Sequence, residues 1–461
     1  MCVAEKVTPA MTRHHYRHHF AVLSLAGMLA LVGVGSALIH PSNATNLPSG
    51  LDIPVTAEST SIFCTGLTSA NVGASGSIDY LNSVDLSRHV SVLISSDGGS
   101  AFSSFTIAAH GKYVFNPATF TKGSYFGVTA IVDGGGVVAT ENLDSPQPSS
   151  VPCQSTGVTN WFATGFDTTA NSTAVISILN PTATPAVYNL QVETTGGFVA
   201  PAPLHGVLLQ PFQETAVNLG SDIVDTSNIG VSLHVLRGSV VATGIQRIGA
   251  TSPSESLVGG STTIEKHIVF PSVTTANGST ADVRIANPSN ATAQVTLNVE
   301  LSNYSISPFT YSLAPFSSGD VVITPNPRVP AAGNAIVAIK ANVAIDASLL
   351  SGTKAGSWLA SNPVPSSSQV LGPPAGQNLS DENVVNLTKH RILVNVMPFG
   401  STSTISVLRI PREGSASLST ALGLKGMLKR TYQLQSSNAF VVTGPVASTT
   451  GIFEVNGLNA R

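Results

Sequence analysis

From residue 52 onward the chain alternates apolar and polar positions in short runs broken by turn residues, the pattern of half-buried β-strands. Val90–Ile94 leads into Asp97-Gly98-Gly99 and on to Phe102–Ile107, and Tyr125–Val132 and Val137–Thr140 flank Asp133-Gly134-Gly135-Gly136, both hairpin signals. Further strands are predicted at Ala174–Leu179, Val187–Glu193, Val207–Leu209, Gly230–Val235, Val240–Ile245, Ala281–Ile285, Val295–Glu300, Phe309–Leu313 and Ile336–Ile345. The last block adds Arg391–Val396, Thr404–Ile410, Ala439–Thr443 and Gly451–Val455. Only Leu418–Arg430 has helical spacing, with apolar residues at 418, 421, 422, 424, 427 and 428, and it is expected to form one short helix. Alternation of this kind buries one face of each sheet and wets the other.

Two pairs of segments are written nearly alike. Ile178-Leu179-Asn180-Pro181 running to Leu190-Gln191-Val192-Glu193 is echoed by Ile285-Ala286-Asn287-Pro288 running to Leu297-Asn298-Val299-Glu300, at an offset of 107 residues. Gly127-Val128 with Val137-Val138-Ala139-Thr140 is echoed by Gly230-Val231 with Val240-Val241-Ala242-Thr243, at an offset of 103. An offset near ~100 residues is the length of one β-sandwich domain. The expected fold is therefore all-β: tandem β-sandwich-like modules after a single N-terminal hydrophobic helix.

That helix is the uncharged apolar segment Phe20–Ile39, preceded by Arg13, Arg17 and the histidines 14, 15, 18 and 19. Its length lies between a long signal-peptide core and a short transmembrane helix. Small residues suitable for cleavage fall near Ala37 and Ala44. Uncleaved, the basic flank would leave everything beyond the helix outside the membrane. Either way the chain is expected to be exported, as a single-pass membrane-anchored protein with an extracellular C-terminal region or as a secreted one.

The resulting domain plan is a basic, His-rich cytoplasmic flank at 1–19, a signal-anchor or signal-peptide helix at 20–39, and β modules at 45–145, 153–250 and 262–360. A linker is expected at 361–378 and a C-terminal β block at 385–461. Two further Pro- and Ser-rich stretches, around 146–152 and 252–261, read as linkers between modules.

Charged residues make up 10% of the chain, so Ser, Thr, Asn and Gly must cover much of its surface. Three of 21 basic and one of 24 acidic residues precede position 41, which leaves the remainder mildly acidic. With no basic stripe to neutralise phosphates, nucleic-acid binding is not expected. Cys2 precedes the helix, and no lipobox follows it; Cys64 and Cys153 remain as a pair in an oxidising compartment. A disulfide between them is the natural reading, with two unrelated buried thiols as the alternative.

Cys153, Asn160-Trp161-Phe162-Ala163-Thr164-Gly165, Ile178–Thr182, Val192-Glu193-Thr194, Gly196-Gly197, Pro201, Pro203, Gly206-Val207, Pro211, Val217-Asn218-Leu219, Val231 and Arg237–Ala242 occur in the order of a known pattern. The run resembles the actinobacterial exported family catalogued as domain of unknown function family 5719. The resemblance is good from Cys153 to Ile248 and weak over the third module. It implies an N-terminally anchored, β-rich envelope protein, and it brings no catalytic or binding residues with it.

Motifs for chemistry are sparse. There is no Gly-x-Ser-x-Gly elbow, phosphate-cradling loop, His-Glu-x-x-His pair or Cys-x-x-Cys. No metal site, cofactor or catalytic residue is called for. His234 within an apolar strand reads as a hydrogen-bonded sheet histidine. Asp222 with Asp225, and Asp381 with Glu382, are sequence neighbours, whereas glycosidases need carboxyls facing across a cleft. Trp161-Phe162 reads as a core aromatic pair, with sugar stacking by Trp161 and Phe162 as the sharper alternative.

The expectation is a non-catalytic exported cell-envelope protein, a β-module scaffold or binding platform held at the membrane by its N-terminal helix. Its expected partners are cell-wall polysaccharide or envelope proteins of glycan assembly. The alternatives are a polysaccharide-active enzyme with inter-module carboxylates and an adhesion or self-association protein.

Overall fold

In a computed structural model, the description covers residues 59–459 with short interruptions, the longest at 372–377 and 424–431; residues 1–58 lie outside it. The expected N-terminal helix, its histidine cluster and both cleavage positions fall in that outside stretch. Among the described residues no helix is long and apolar enough to cross a membrane.

The first module runs through β1 (Thr60–Thr68), β2 (Ser75–Asn82), β3 (Arg88–Ser96), β4 (Gly99–Ile107), β5 (Lys112–Phe115), β6 (Tyr125–Val132), β7 (Val137–Asp144) and β8 (Ser149–Pro152). Its two sheets have the orders β1-β6-β3-β4 and β5-β2-β7-β8. The predicted alternation sets the faces. In β1, Ile62 and Cys64 point into the core with Ile78, Val92, Phe126 and Val128.

The second module repeats this plan through β9 (Asn160–Phe166), β10 (Ser172–Leu179), β11 (Ala186–Thr194), β12 (Gly197–Val199), β13 (Val207–Leu209), β14 (Glu214–Asn218), β15 (Ile229–Arg237), β16 (Val241–Ile248) and β17 (Ser254–Val258). One sheet reads β9-β15-β11, with β12 and β13 both on β11; the other reads β14-β10-β16-β17. Strand for strand, β12 and β13 together take the place of β4.

The third module uses β18 (Glu265–Thr274), β19 (Thr280–Asn287), β20 (Ala293–Leu301), β21 (Tyr304–Ser305), β22 (Phe309–Leu313), β23 (Ser317–Thr324), β24 (Asn334–Thr353) and β25 (Gly356–Ser361). Here the two strands that were separate as β15 and β16 are fused into the 20-residue β24. Its first half pairs with β18 and β20, and its second half with β19 and β25.

A fourth block carries the same order again. Ser406–Ile410, Ile392–Pro398, the first half of Tyr432–Ala447 and Ser366–Leu371 form one sheet. Ser415–Ser417, Asn383–Val385, the second half of Tyr432–Ala447 and Ile452–Asn456 form the other. The C-terminal block is thus a complete fourth copy of one sandwich, around a core of Val384, Val394, Leu408, Leu434 and Phe440. Both echoes found in the sequence mark this repeat, since Asn180 directly follows β10 and Asn287 ends β19, while Gly127 and Gly230 sit in β6 and β15.

Four sequence expectations change. The stretches taken as linkers around 146–152, 252–261 and 361–378 contain strands: β8, β17 and Ser366–Leu371. The Ser- and Pro-rich composition around β8 and β17 is that of edge strands, which pair on one side only and tolerate Pro there, whereas Ser366–Leu371 pairs with both Tyr432–Ala447 and Leu458–Asn459. Of the helix expected over Leu418–Arg430, Leu418–Ala421 is helical, capped by the Ser417 hydroxyl on the Thr420 amide, and Leu422 and Gly423 form a turn; residues 424–430 lie outside the described ones.

One device recurs in every copy. A fully buried asparagine ends or directly follows the second strand: Asn82, Asn180, Asn287 and Asn386. Each donates its Nδ2 to the carbonyl four residues on: Leu86, Thr184, Ala291 and His390. Each also reaches a carbonyl about a quarter of a module further along, at Ala108, Gln210, Ala314 and Pro411. Its Oδ1 accepts the amide two residues ahead, at Val84, Thr182, Ser289 and Thr388. One side chain thereby satisfies backbone groups that would otherwise be buried unpaired.

Candidate functional site: the joints between modules

Each module lays the outer face of its second sheet on the end of the module before it. At the first joint β1 meets β10 and β16, β6 meets β14, and β8 meets β17. At the second joint the equivalent strands meet: β9 with β19 and β24, β15 with β23, and β17 with β25. Period-two alternation makes this possible, because Ile176 and Ile178 face their own core while Val175, Ser177 and Leu179 face outward and are nonetheless buried.

The first joint has apolar flanks around a polar centre. Leu143, Val151, Val175, Ile245 and Leu257 pack together on one side, and Phe63, Leu179 and Val241 on the other. Between them lie two carboxyls from different modules, Glu141 on β7 and Glu214 on β14, 1% and 6% exposed. A chain of hydroxyls connects them. The Thr65 amide donates to Glu141, the Thr65 and Ser177 hydroxyls are 2.5 Å apart, and Ser177 donates to Glu214 at 2.8 Å. Burial raises the Glu141 carboxyl well above the usual range despite hydrogen bonds from the Thr65 amide and the Thr243 hydroxyl. Burial likewise pushes Glu214 up to about 7, against the Ser177 hydrogen bond and with Asp97 adding repulsion.

The rim of this joint is a crevice of about 410 Å³ lined by Asn71, Asp144, Ser145, Arg247 and Glu255 among others. Arg247 Nε donates to Glu255 at 2.7 Å, and the Ala74 amide also donates to Glu255. A Cβ on Gly73 would fall 2.0 Å from the Glu255 carboxylate and 2.3 Å from the Arg247 guanidinium, so any side chain there would displace this ion pair.

The second joint also brings two acids together. Glu193 on β11 and Asp346 on β24 are 1% and 4% exposed. Ser232 donates to Glu193 at 2.8 Å. Burial raises both carboxyls to about 7; for Asp346 the next cause is repulsion from Glu193, partly countered by the Ala347 amide. Hydroxyls stitch the two modules around them. Ser348 donates to the Thr164 carbonyl at 2.7 Å, and Ser318 donates to the Asn228 carbonyl. Gly230 lets the sheets approach, because a Cβ there would stand 2.6 Å from the Ala286 Cβ.

The residues singled out from sequence fall elsewhere. Cys64 and Cys153 form a disulfide, with Cα atoms 4.7 Å apart, tying β1 to the segment just after β8. Glu141 lies against it. Cys64, Cys153 and Glu141 are the one grouping with metal-like spacing among the described residues, and its sulfurs are bonded to each other. Trp161 is fully buried and its Nε1 donates to the Gly259 carbonyl at 2.8 Å. Gly260 lies against the indole, where a Cβ would come within 2.4 Å of the ring. Phe162 is 8% exposed and meets the His234 ring edge-on. Neither ring has a face open to a sugar, so the stacking reading of Trp161 and Phe162 is corrected: both are packing residues.

His234 is bonded through Nδ1 to Asn160 at 2.9 Å, and partial burial lowers its pKa. Asp222 and Asp225 are exposed on the loop after β14, while Asp381 and Glu382 lie outside the described residues. The four joint acids were not singled out as a site. Glu141 and Glu214 are 73 positions apart, Glu193 and Asp346 are 153 apart, and no local motif joins them.

Comparison with known families gives one match, over residues 148–419, to the family of unknown function DUF5719. Among curated proteins there is no match. A solved structure of a tetra-tandem repeat in the extending region of a large adhesion protein aligns with 88% of this chain and 100% of that one, at 10% identity and a TM-score of 0.12. At that score the likeness carries no argument.

Proposed function

We propose that this chain, which belongs to the family of unknown function DUF5719, is a non-catalytic exported scaffold of the cell envelope. In this reading its modules form a stiff binding platform for envelope glycan or the machinery that assembles it, anchored by the N-terminal segment. The observation that carries the proposal is the repeated joint. Modules on flexible linkers would expose the outer face of each second sheet. Here Val175, Leu179, Val241 and Ile245 are at most 3% exposed. Apolar area buried at ~25 cal/mol per Å² favours a fixed arrangement over swinging modules.

The runner-up is an enzyme acting on polysaccharide with carboxyls drawn from different modules. Carboxyls from different modules do come near one another, Glu141 being linked to Glu214 through Thr65 and Ser177 and Glu193 acting on Asp346. Their burial and their engagement with Thr65, Ser177 and Ser232 give them a holding role, which favours the scaffold. A general acid must instead reach substrate in an accessible cleft.

The test is co-sedimentation of the 56–461 protein with cell-wall polysaccharide from its host, with the supernatant assayed for released sugar. Saturable binding without release is the expected result. Release of sugar would establish the enzyme reading instead, and absence of binding would direct the search to protein partners.

A further inference from the structure

We propose that the joint between the second and third modules is a proton-operated clasp, in which the protonated Glu193–Asp346 pair holds the modules together and loss of its protons loosens them. Three features of the geometry carry this. The two carboxyls come from opposite sides of the joint, one on β11 and one on β24, and both are almost wholly buried. Glu193 adds repulsion at Asp346, and no basic group offsets either carboxyl. The polar neighbours are neutral: the Ser232 hydroxyl from β15 and the Ala347 amide from β24 itself.

The charged groups on the facing strands do not supply a counter-ion. On β19, Arg284 is engaged with Asp282 at 3.5 Å, and Asp320 on β23 adds negative charge beside that pair. The glycine and alanine at the contact, Gly230 and Ala286, approach so closely that they leave no room for a longer basic side chain. Two facing carboxyls without a cation cannot both ionise cheaply in such a place. Separation of the modules returns them to water and to their ordinary pKa.

The direction follows from linkage. Docked, both groups titrate at about 7; released, they titrate near their ordinary values of 4.5 and 3.8. The docked state therefore binds more protons between those limits. Joint stability is fully present below about pH 4, declines as pH rises, and reaches its floor above about 7.

The experiment is hydrogen exchange on the whole 56–461 protein at pH values from 5 to 8.5, corrected for intrinsic exchange and read by segment. In the wild type, protection across 186–194, 229–237 and 345–353 is expected to fall on the order of tenfold or more, while the first-module core at 88–96 keeps its own. In Glu193→Gln with Asp346→Asn, amides mimic the protonated pair, and the fall should disappear with protection kept high. A wild-type joint whose protection ignores pH would overturn the proposal, as would an equal fall in the double variant. Should the double variant not fold, Glu193→Gln alone is expected to halve the pH response on a logarithmic scale; an unchanged response would overturn the proposal equally. The scaffold reading is independent of this outcome, since polysaccharide binding is measured separately.

Discussion

The first and second modules lay down the same strands in the same order and close the end of the chain onto the first strand by the same backbone bridge. Phe63 pairs with Gln154 in one and Phe162 with Ser261 in the other. They secure that closure by different chemistry. The first module uses the Cys64–Cys153 disulfide, one residue from the bridge on both sides. The second uses Trp161, whose ring packs under Gly260 and whose Nε1 holds the Gly259 carbonyl. A covalent link restricts the unfolded chain as well as the folded one, whereas a packed ring acts only in the folded state. Equivalent closures in a repeat need a fastener more than they need a given residue at a given position.

Removing each fastener should separate the two mechanisms. Cys64→Ala with Cys153→Ala opens a loop with a sequence separation of 89, and the chain-entropy relation puts the loss at about 4–5 kcal/mol. Trp161→Ala should cost about 3–5 kcal/mol through cavity formation. Chemical denaturation measures both. The disulfide variant should also show a raised m-value as its unfolded state expands, while the tryptophan variant should not. Equal m-values in the two would remove the distinction. Polysaccharide retained by Trp161→Ala would be further support for a packing role.

The first joint carries a raised carboxyl as the second does. At the first joint the Glu214 carboxyl lies on a hydroxyl chain and titrates at about 7 when docked against an ordinary value of 4.5. Its folded pKa is raised, so its contribution is present below about 4.5 and lost as pH climbs through 7, to the extent of about 3 kcal/mol. Glu214→Gln should flatten that part of the stability–pH curve and keep the Ser177 hydrogen bond. A curve as steep as the wild type's would show that the titration belongs to another group.

How much of this was legible in the sequence depends on whether the signal was local. Strand alternation and the 107-residue echo were local, and so the modules were readable. The cysteine pair needed only the inferred compartment. The last strands of the modules are hidden in the sequence because β8 and β17 are short and polar in composition, although all five residues of β17 are buried, Glu255 and Leu257 against the first module. Glu193 and Glu300 close the same Leu-x-Val-Glu phrase at equivalent positions, yet Glu193 is buried in a joint and Glu300 is exposed. What distinguishes them is the surface presented by the following module, which no spacing within the phrase encodes. The recurring asparagine was half visible. Asn180 and Asn287 are marked by a following proline, whereas Asn82 and Asn386 are not.

That asparagine supplies the smallest of the expected effects and the most general one. Asn180→Asp preserves the Oδ1 acceptor for Thr182 but replaces a donor that serves the Thr184, Leu209 and Gln210 carbonyls. Three buried carbonyls then face a carboxyl, at a cost of about 1–3 kcal/mol for the polar groups left unpaired. Asn287→Asp in the third module should behave alike, because its Nδ2 serves the Ala291 and Ala314 carbonyls in the same geometry. If the asparagine is a device of the repeat, the two substitutions should shift thermal midpoints by similar amounts and add when combined, since they lie in separate cores. A large loss in one module with none in the other would show that a context outside the repeat governs these positions. The likeness of the modules would then stop at their strand order.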